Sequence, residues 1–259
     1  MKEELEAFDR LLTIMDELRE KCPWDKKQTI ESLRTLTIEE TYELADAIVE
    51  NDMKDLKKEL GDILLHIVFY AKIAKEKNEF TITDVINSIN EKLVHRHPHV
   101  FGDVKVKDHL EVEENWEDIK LTEKDSKKSV LSGVPVSLPA LVKANRIQQK
   151  VRGVGFDWED KSQIWDKVRE ELSELQHEVE RSNQQKIEAE FGDFLFSIIN
   201  AARLYDIDPE IALERTNKKF IKRFNYLEQE TINKGQSLKS MTLDEMNYYW
   251  EKAKKFDSL

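Results

Sequence analysis

Two stretches of this chain spell the same pattern 131 residues apart. Glu39-Glu40-Thr41-Tyr42-Glu43-Leu44 lies over Glu170-Glu171-Leu172-Ser173-Glu174-Leu175, and Glu59-Leu60-Gly61-Asp62-Ile63-Leu64 over Glu190-Phe191-Gly192-Asp193-Phe194-Leu195. The apolar positions stay in step through Ile67/Ile198, Val68/Ile199 and Ala71/Ala202. The offset then shortens to 127, where Asn90 to Arg96 matches Asn217 to Arg223, and Trp116-Glu117 and Lys120 answer to Trp250-Glu251 and Lys254. A repeat of this length is one folded unit used twice, and it constrains the fold more than any local propensity. We expect two tandem homologous modules, residues 1–120 and 139–259. Residues 121–138 between them are rich in Ser and Lys, lack periodicity and read as a linker.

The elements inside each module are expected to be long helices. Seven Gly and 5 Pro in 259 residues leave few turns, and 36% charged residues suit amphipathic helices with broad solvated faces. Leu5, Phe8, Leu11, Leu12, Met15 and Leu18 recur at helical spacing, and the first helix stops before Cys22-Pro23. Similar patterns cover 38–49, 52–77, 83–96 and 109–120, then 139–150, 162–181, 184–205, 208–233 and 242–256. Thr83 is the expected N-cap of its helix, and His97-Pro98 its end. The fold class is therefore all-α, two tandem helical bundles of four-helix-bundle type.

Charge and composition narrow the function. The net charge of −12 repels phosphate backbones, which argues against nucleic-acid binding. The longest apolar run, Ile63 to Ala74, contains His66 and Lys72 and is far short of the ~18 residues of a membrane span, so no membrane role is expected. A single cysteine, Cys22, and a polar start, Met1-Lys2-Glu3-Glu4, fit a cytoplasmic protein.

The acids carry the chemistry. Glu40 and Glu43 stand three apart on one helix and Glu59 and Asp62 on the next, and Glu171/Glu174 and Glu190/Asp193 repeat the arrangement. With 53 acids in 259 residues, one such four-acid pattern arises by chance about 0.4 times, so the weight lies in the second copy. Asp62 and Asp193 each precede a segment apolar on nearly every side, so both are expected to be buried, and a buried carboxylate needs a partner or a metal. All-oxygen carboxylate sites suit Mg²⁺, with Mn²⁺ as an alternative, and Mg²⁺ takes its remaining ligands from water and substrate phosphates. A di-iron bundle would need Glu-x-x-His in pairs, but Glu174 with His177 has only Glu43 with Asp46 as its counterpart.

The Glu-x-x-Glu, 15-residue gap, Glu-x-x-Asp pattern follows Cys22-Pro23-Trp24-Asp25 in one copy and Gly155-Phe156-Asp157-Trp158 in the other. With Arg96-His97-Pro98-His99-Val100-Phe101 and Ser137-Leu138-Pro139-Ala140-Leu141, it resembles the two-module MazG nucleoside triphosphate pyrophosphohydrolases over essentially the whole chain. The resemblance implies an all-α bundle that forms a homodimer and holds Mg²⁺ on the four acids. It implies cleavage of nucleoside or deoxynucleoside triphosphates to the monophosphate and pyrophosphate. It also implies that the second module is the competent one, with Glu171, Glu174, Glu190 and Asp193 catalytic and metal-binding, and Lys186, Lys219, Arg223 and Trp250 on the nucleotide. The first module keeps Glu40, Glu43, Glu59 and Asp62, with Lys92 and Arg96 as basic partners, as a second possible site.

Some residues admit two readings. Lys219 and Arg223 share a helical face and can grip one phosphate chain, or decorate the surface. Lys186 precedes Glu190 by one turn and can form a plain salt bridge with it. Trp250 can stack on a base or pack on a core. His95, His97 and His99 can bind a metal or complement a helix end, with the structural role favoured. Trp24, Phe156 and Trp158 are expected to shape the bundle entrance. The competing functions are a non-catalytic helical nucleotide-binding protein and a hydrolase of a modified nucleotide or alarmone.

Overall fold

The computed structural model describes residues 2–108, 111–112, 115–116, 119, 129–235 and 237–256. The helix expected over 109–120 lies largely outside the described residues, as does the linker up to 128. Every regular element among the described residues is helical, and none is long and apolar enough to cross a membrane. The chain divides into two compact units, Met1–Lys107 and Asp108–Leu259. The first contains α1 (Lys2–Lys21), α2 (Pro23–Lys27), α3 (Ile30–Glu50), α4 (Met53–Glu76), α5 (Ile82–Arg96) and α6 (Pro98–Phe101). The second contains α7 (Ala140–Arg152), α8 (Ile164–Arg181), α9 (Gln184–Leu204), α10 (Pro209–Ile232) and α11 (Leu243–Ala253).

Each unit is organised on an antiparallel pair, α3 with α4 and α8 with α9. The core repeats as the sequence does. Leu33 and Ile164 are both fully buried 131 residues apart, and Ile73 and Leu204 are buried with them at the same end of each pair, away from the turn. In the first unit Met15, Val68 and Phe69 complete this cluster, with Leu11 and Leu12 of α1 against it. The Thr37 and Tyr70 hydroxyls bond each other at 2.8 Å between α3 and α4. Val168 and Ala201 fill the equivalent places in the second unit with carbon alone.

Two helix starts differ from expectation. Helix α3 begins at Ile30 instead of 38, because Thr29 and Ser32 cap each other reciprocally: the Thr29 hydroxyl accepts the Ser32 N–H at 3.1 Å and the Ser32 hydroxyl accepts the Thr29 N–H at 2.9 Å. Helix α5 is capped by Thr81, not Thr83. A capping box needs a side-chain acceptor three residues on; Asp84 supplies it to the Thr81 N–H at 2.8 Å, whereas Thr83 has Ile86 at that distance. The stop at His97 is as expected, and His97 Nδ1 lies 2.6 Å from the Leu93 carbonyl, a helix-end contact.

The Gly155-Phe156-Asp157-Trp158 loop is tied to α9. Gly155 takes φ 83, a conformation that favours glycine, and the chain turns back so that Asp157 meets the buried Arg203. The Arg203 guanidinium grips both oxygens of Asp157, at 3.0 Å for Nη1 to Oδ2, and also donates to Asn200 Oδ1. Burial alone would raise the Asp157 carboxyl, but Arg203 and the Trp158 N–H outweigh it and hold it below the usual range.

Two predictions follow from these contacts. Thr81→Ala should cost about 1 kcal/mol in urea denaturation, whereas Thr83→Ala should be near neutral. Asp157→Asn leaves a buried guanidinium without its anion and should cost ~3 kcal/mol at pH 7. A depressed folded pKa stabilises above the unfolded value and is lost as pH falls through the folded one, so the penalty should fade below pH ~4, measured by denaturation at a series of pH values.

Candidate active site

The turn between the paired helices sets the level of the acids. Asn51 ends α3 in the left-handed conformation at φ 55, and Asp52 caps α4 by accepting the Lys54 and Asp55 N–H groups at 2.9 and 3.1 Å. Ser182 at φ 55 and Asn183, the cap of α9, repeat this two-residue reversal. Glu43 lies seven residues before the end of α3 and Glu59 six after the start of α4. At about 1.5 Å per residue, both stand ~10 Å from the turn and face each other. Glu174 and Glu190 occupy the same positions on α8 and α9. Glu40 and Glu171 stand one turn deeper on their helices.

Three carboxylates converge in each unit. Oxygens of Glu40, Glu43 and Glu59 lie within 4.8 Å of one another, and so do those of Glu171, Glu174 and Glu190. Asp62 and Asp193 stand beside these triads rather than within them. Their burial is a correction to the sequence expectation: Asp62 is half-buried and Asp193 exposed, and the deeply buried acids are Glu59 and Glu171. The reason is that the apolar surface following each Asp is not covered within its own unit. Leu60, Leu64 and Ile67 are exposed on α4, and their counterparts Phe191, Leu195 and Ile198 are exposed on α9.

The clusters carry the electrostatic mark of crowded anions. Burial and then the charges of Asp62, Glu43 and Glu59 push the Glu40 carboxyl above its ordinary range. Desolvation and then Glu174, Asp193, Glu171 and Glu178 push Glu190 up in the same way. Glu59 Oε2 is buried without a hydrogen-bond partner. A hard cation with oxygen preference satisfies that orphan and offsets the repulsion, so the donor set fits Mg²⁺ or Mn²⁺.

Each cluster also has a lysine that the sequence reading missed, and the two come from different helices. Lys58 of α4 donates to Glu59 at 2.8 Å and lies 3.8 Å from Glu43. Lys167 of α8 pairs with Glu171 at 2.7 Å and Glu170 at 3.0 Å, and those bonds hold its ammonium above its usual pKa. For Lys167 the signal was present, since it precedes Glu171 by one turn; Lys58 is adjacent to Glu59, a spacing at which helical side chains do not ordinarily face each other. Glu178, also missed, lies one turn beyond Glu174 and is buried.

The expected nucleotide-binding residues fall into two groups. Lys186, at the start of α9, lies 3.6 Å from Glu178, across the turn. Glu178 in turn lines an open groove with Ser173, Glu174, His177 and Glu190. Lys219, Arg223 and Trp250 form the other group. The Arg223 guanidinium lies 5.5 Å from the centre of the half-buried Trp250 ring, which also meets Phe220 at 4.8 Å, and Lys219 is exposed one turn before Arg223 on α10. Trp250 thus packs and presents a cation at once. In the first unit Lys92 borders a shallow groove with Phe80, Asp84, Val85, Ser88 and Ile89, and Arg96 ends the same helix.

Known proteins match this sequence over most of its length. The MazG nucleotide pyrophosphohydrolase domain matches the chain twice, over residues 28–101 and 160–227, each span carrying one acid cluster. The chain is 46% identical over 257 residues to the nucleoside triphosphate pyrophosphohydrolase/pyrophosphatase MazG of Thermotoga maritima, with 98% of each chain covered. It is 42% identical over 258 residues to the nucleoside triphosphate pyrophosphohydrolase of Escherichia coli K12, covering 97% of this chain and 98% of that one. It is 50% identical over 251 residues to YabN of Bacillus subtilis, covering 95% of this chain and 51% of that protein. The paired helices, the doubled acid cluster and these matches over the full length place the chain in the MazG nucleotide pyrophosphohydrolase family.

Proposed function

We propose that this chain is a Mg²⁺-dependent hydrolase that splits nucleoside and deoxynucleoside triphosphates, ATP among them, between the α and β phosphorus, yielding the monophosphate and pyrophosphate. The observation that carries the reading is the repeated triad of carboxylates, held at one level by a two-residue turn, with Glu59 Oε2 of the first copy buried and without a hydrogen-bond partner. Mn²⁺ is an alternative ion. The reaction is assigned to the second module, residues 139–259, with residues 1–120 as the first module and 121–138 as linker.

In this reading Glu171, Glu174, Glu190 and Asp193 hold the metal. Bound there, Mg²⁺ neutralises triphosphate charge and makes water more acidic. Glu174 lines the groove, and in this reading it orients the attacking water or takes its proton. Lys219 and Arg223 offset the charge that passes to the departing pyrophosphate, and Lys186 binds the polyphosphate. Trp250 supports the base, with Arg223 against its ring. Glu40, Glu43, Glu59 and Asp62, with Lys92 and Arg96, form a second possible site.

The uncovered stripes on α4 and α9 support a homodimer, in which a second copy removes them from water. The acidic surface argues against nucleic-acid partners. A cytoplasmic role in clearing the nucleotide pool, or in stress, suits such an activity.

The test is pyrophosphate release across the eight common NTPs and dNTPs with Mg²⁺, against an EDTA control. Glu174→Ala and Asp193→Asn should each lower turnover at least ~100-fold; near-normal rates in both would remove the second-module site. Metal removal gives a separate prediction. A raised folded pKa means that ionised Glu190 opposes folding at neutral pH, an effect absent below the unfolded value near 4.5. Glu190→Gln should therefore raise the melting temperature of the EDTA-treated protein at pH 7, leave it unchanged near pH 4, and abolish the stabilisation by Mg²⁺ seen in the parent.

A further inference from the structure

Glu178 is a buried carboxylate of the second unit that the reaction above does not use. It lines the acid groove one turn beyond Glu174, and its Oε1 lies 3.6 Å from Lys186 Nζ and 3.8 Å from Arg181 Nη1. Packing does not demand an acid here. At the same offset of 131 the first unit has Ala47, and α3 buries that alanine to 5% exposure in the same helix pair. A buried carboxylate is costly unless it is paired, so its presence in one unit alone calls for a use.

The partners change with it. Where the second unit has Glu178, Arg181 and Lys186, the first has Ala47, Glu50 and Asp55. One anion with two cations becomes a neutral residue with two anions, although the acid cluster beside it is the same in both. At the positions where the second unit carries these cations, the first unit carries acids. A triphosphate approaching the second unit meets an anchored ammonium.

We propose that Glu178 is a positioning residue that holds Lys186 over the acid groove of the second unit to receive the polyphosphate, and that this anchored cation lets the second unit bind nucleotide more tightly than the first. The inference rests on the triphosphate reading above. A lysine side chain loses much rotamer freedom when it binds, and a carboxylate that has already gathered it lowers that cost. Separations of 3.6 and 3.8 Å exceed hydrogen-bond length, so charge gathers the cation without locking it. Lys186 remains 58% exposed and can turn from Glu178 to phosphate.

The test is steady-state kinetics of the full chain at saturating Mg²⁺ with ATP and the best substrate of the panel, for Glu178→Gln, Glu178→Asp, Lys186→Met and the double variant. Glu178→Gln and Lys186→Met should each raise KM about tenfold with kcat within ~3-fold, and the double variant should be no worse than Lys186→Met alone. Glu178→Asp, which keeps the charge, should recover part of the loss. The Mg²⁺ concentration that half-stabilises the protein against heat should move no more than about threefold in Glu178→Gln, the effect of losing one charge beside Glu190. An unchanged KM, additive losses in the double variant, or a Mg²⁺ midpoint raised about a hundredfold would overturn the proposal, the last by making Glu178 a metal ligand. Should Glu178→Gln fail to fold, Glu178→Asp with Lys186→Met decides by the same KM comparison. If the parent protein released no pyrophosphate at all, the underlying reading would fall and this inference with it, an outcome distinct from an active parent and an indifferent Glu178→Gln.

Discussion

Carboxylates repel, and this fold is arranged to hold three of them within 4.8 Å of one another in each unit. The force that keeps them there is apolar packing. Leu33 against α4 and Ile164 against α9 are fully buried, and they fix the separation of the helices that carry the acids. The repulsion appears as raised pKa values at Glu40 and Glu190, so part of the stability provided by the core is offset by the site. A site of this kind is stabilised by what it binds, which couples ligand occupancy to folding.

Much of this was legible from the chain. The repeat gave away two modules because paired apolar positions, such as Ile67/Ile198 and Val68/Ile199, cannot coincide over so long a span without a shared fold. The acids at i and i+3 declared a common face. Other features depended on context that a single sequence does not carry. The Thr81 cap was not one of these, since Asp84 three residues on marks it in the sequence over Thr83. Asp62 and Asp193 were expected to be buried because apolar neighbours follow them, but the α4 and α9 stripes are not covered within their own units. Lys186 pairs with Glu178 instead of Glu190, because a two-residue turn brings the end of α8 beside the start of α9.

The two units show how one scaffold diverges while its acids stay fixed. Their polar neighbours have been exchanged: Lys58 serves one cluster from α4 and Lys167 the other from α8. Thr37 with Tyr70 gives way to Val168 with Ala201 in the interior. The acid spacing is common to both, and the cations around it differ.

That constancy has its origin in the reversals at Asn51 and Ser182. Each residue added to or taken from such a turn would rotate the following helix by about 100° and swing its acids off the shared face. The two-residue connection is thus a ruler rather than a loop. Insertions that most surface turns absorb would here dismantle the site, leaving substitution as the route by which this scaffold can acquire new specificity.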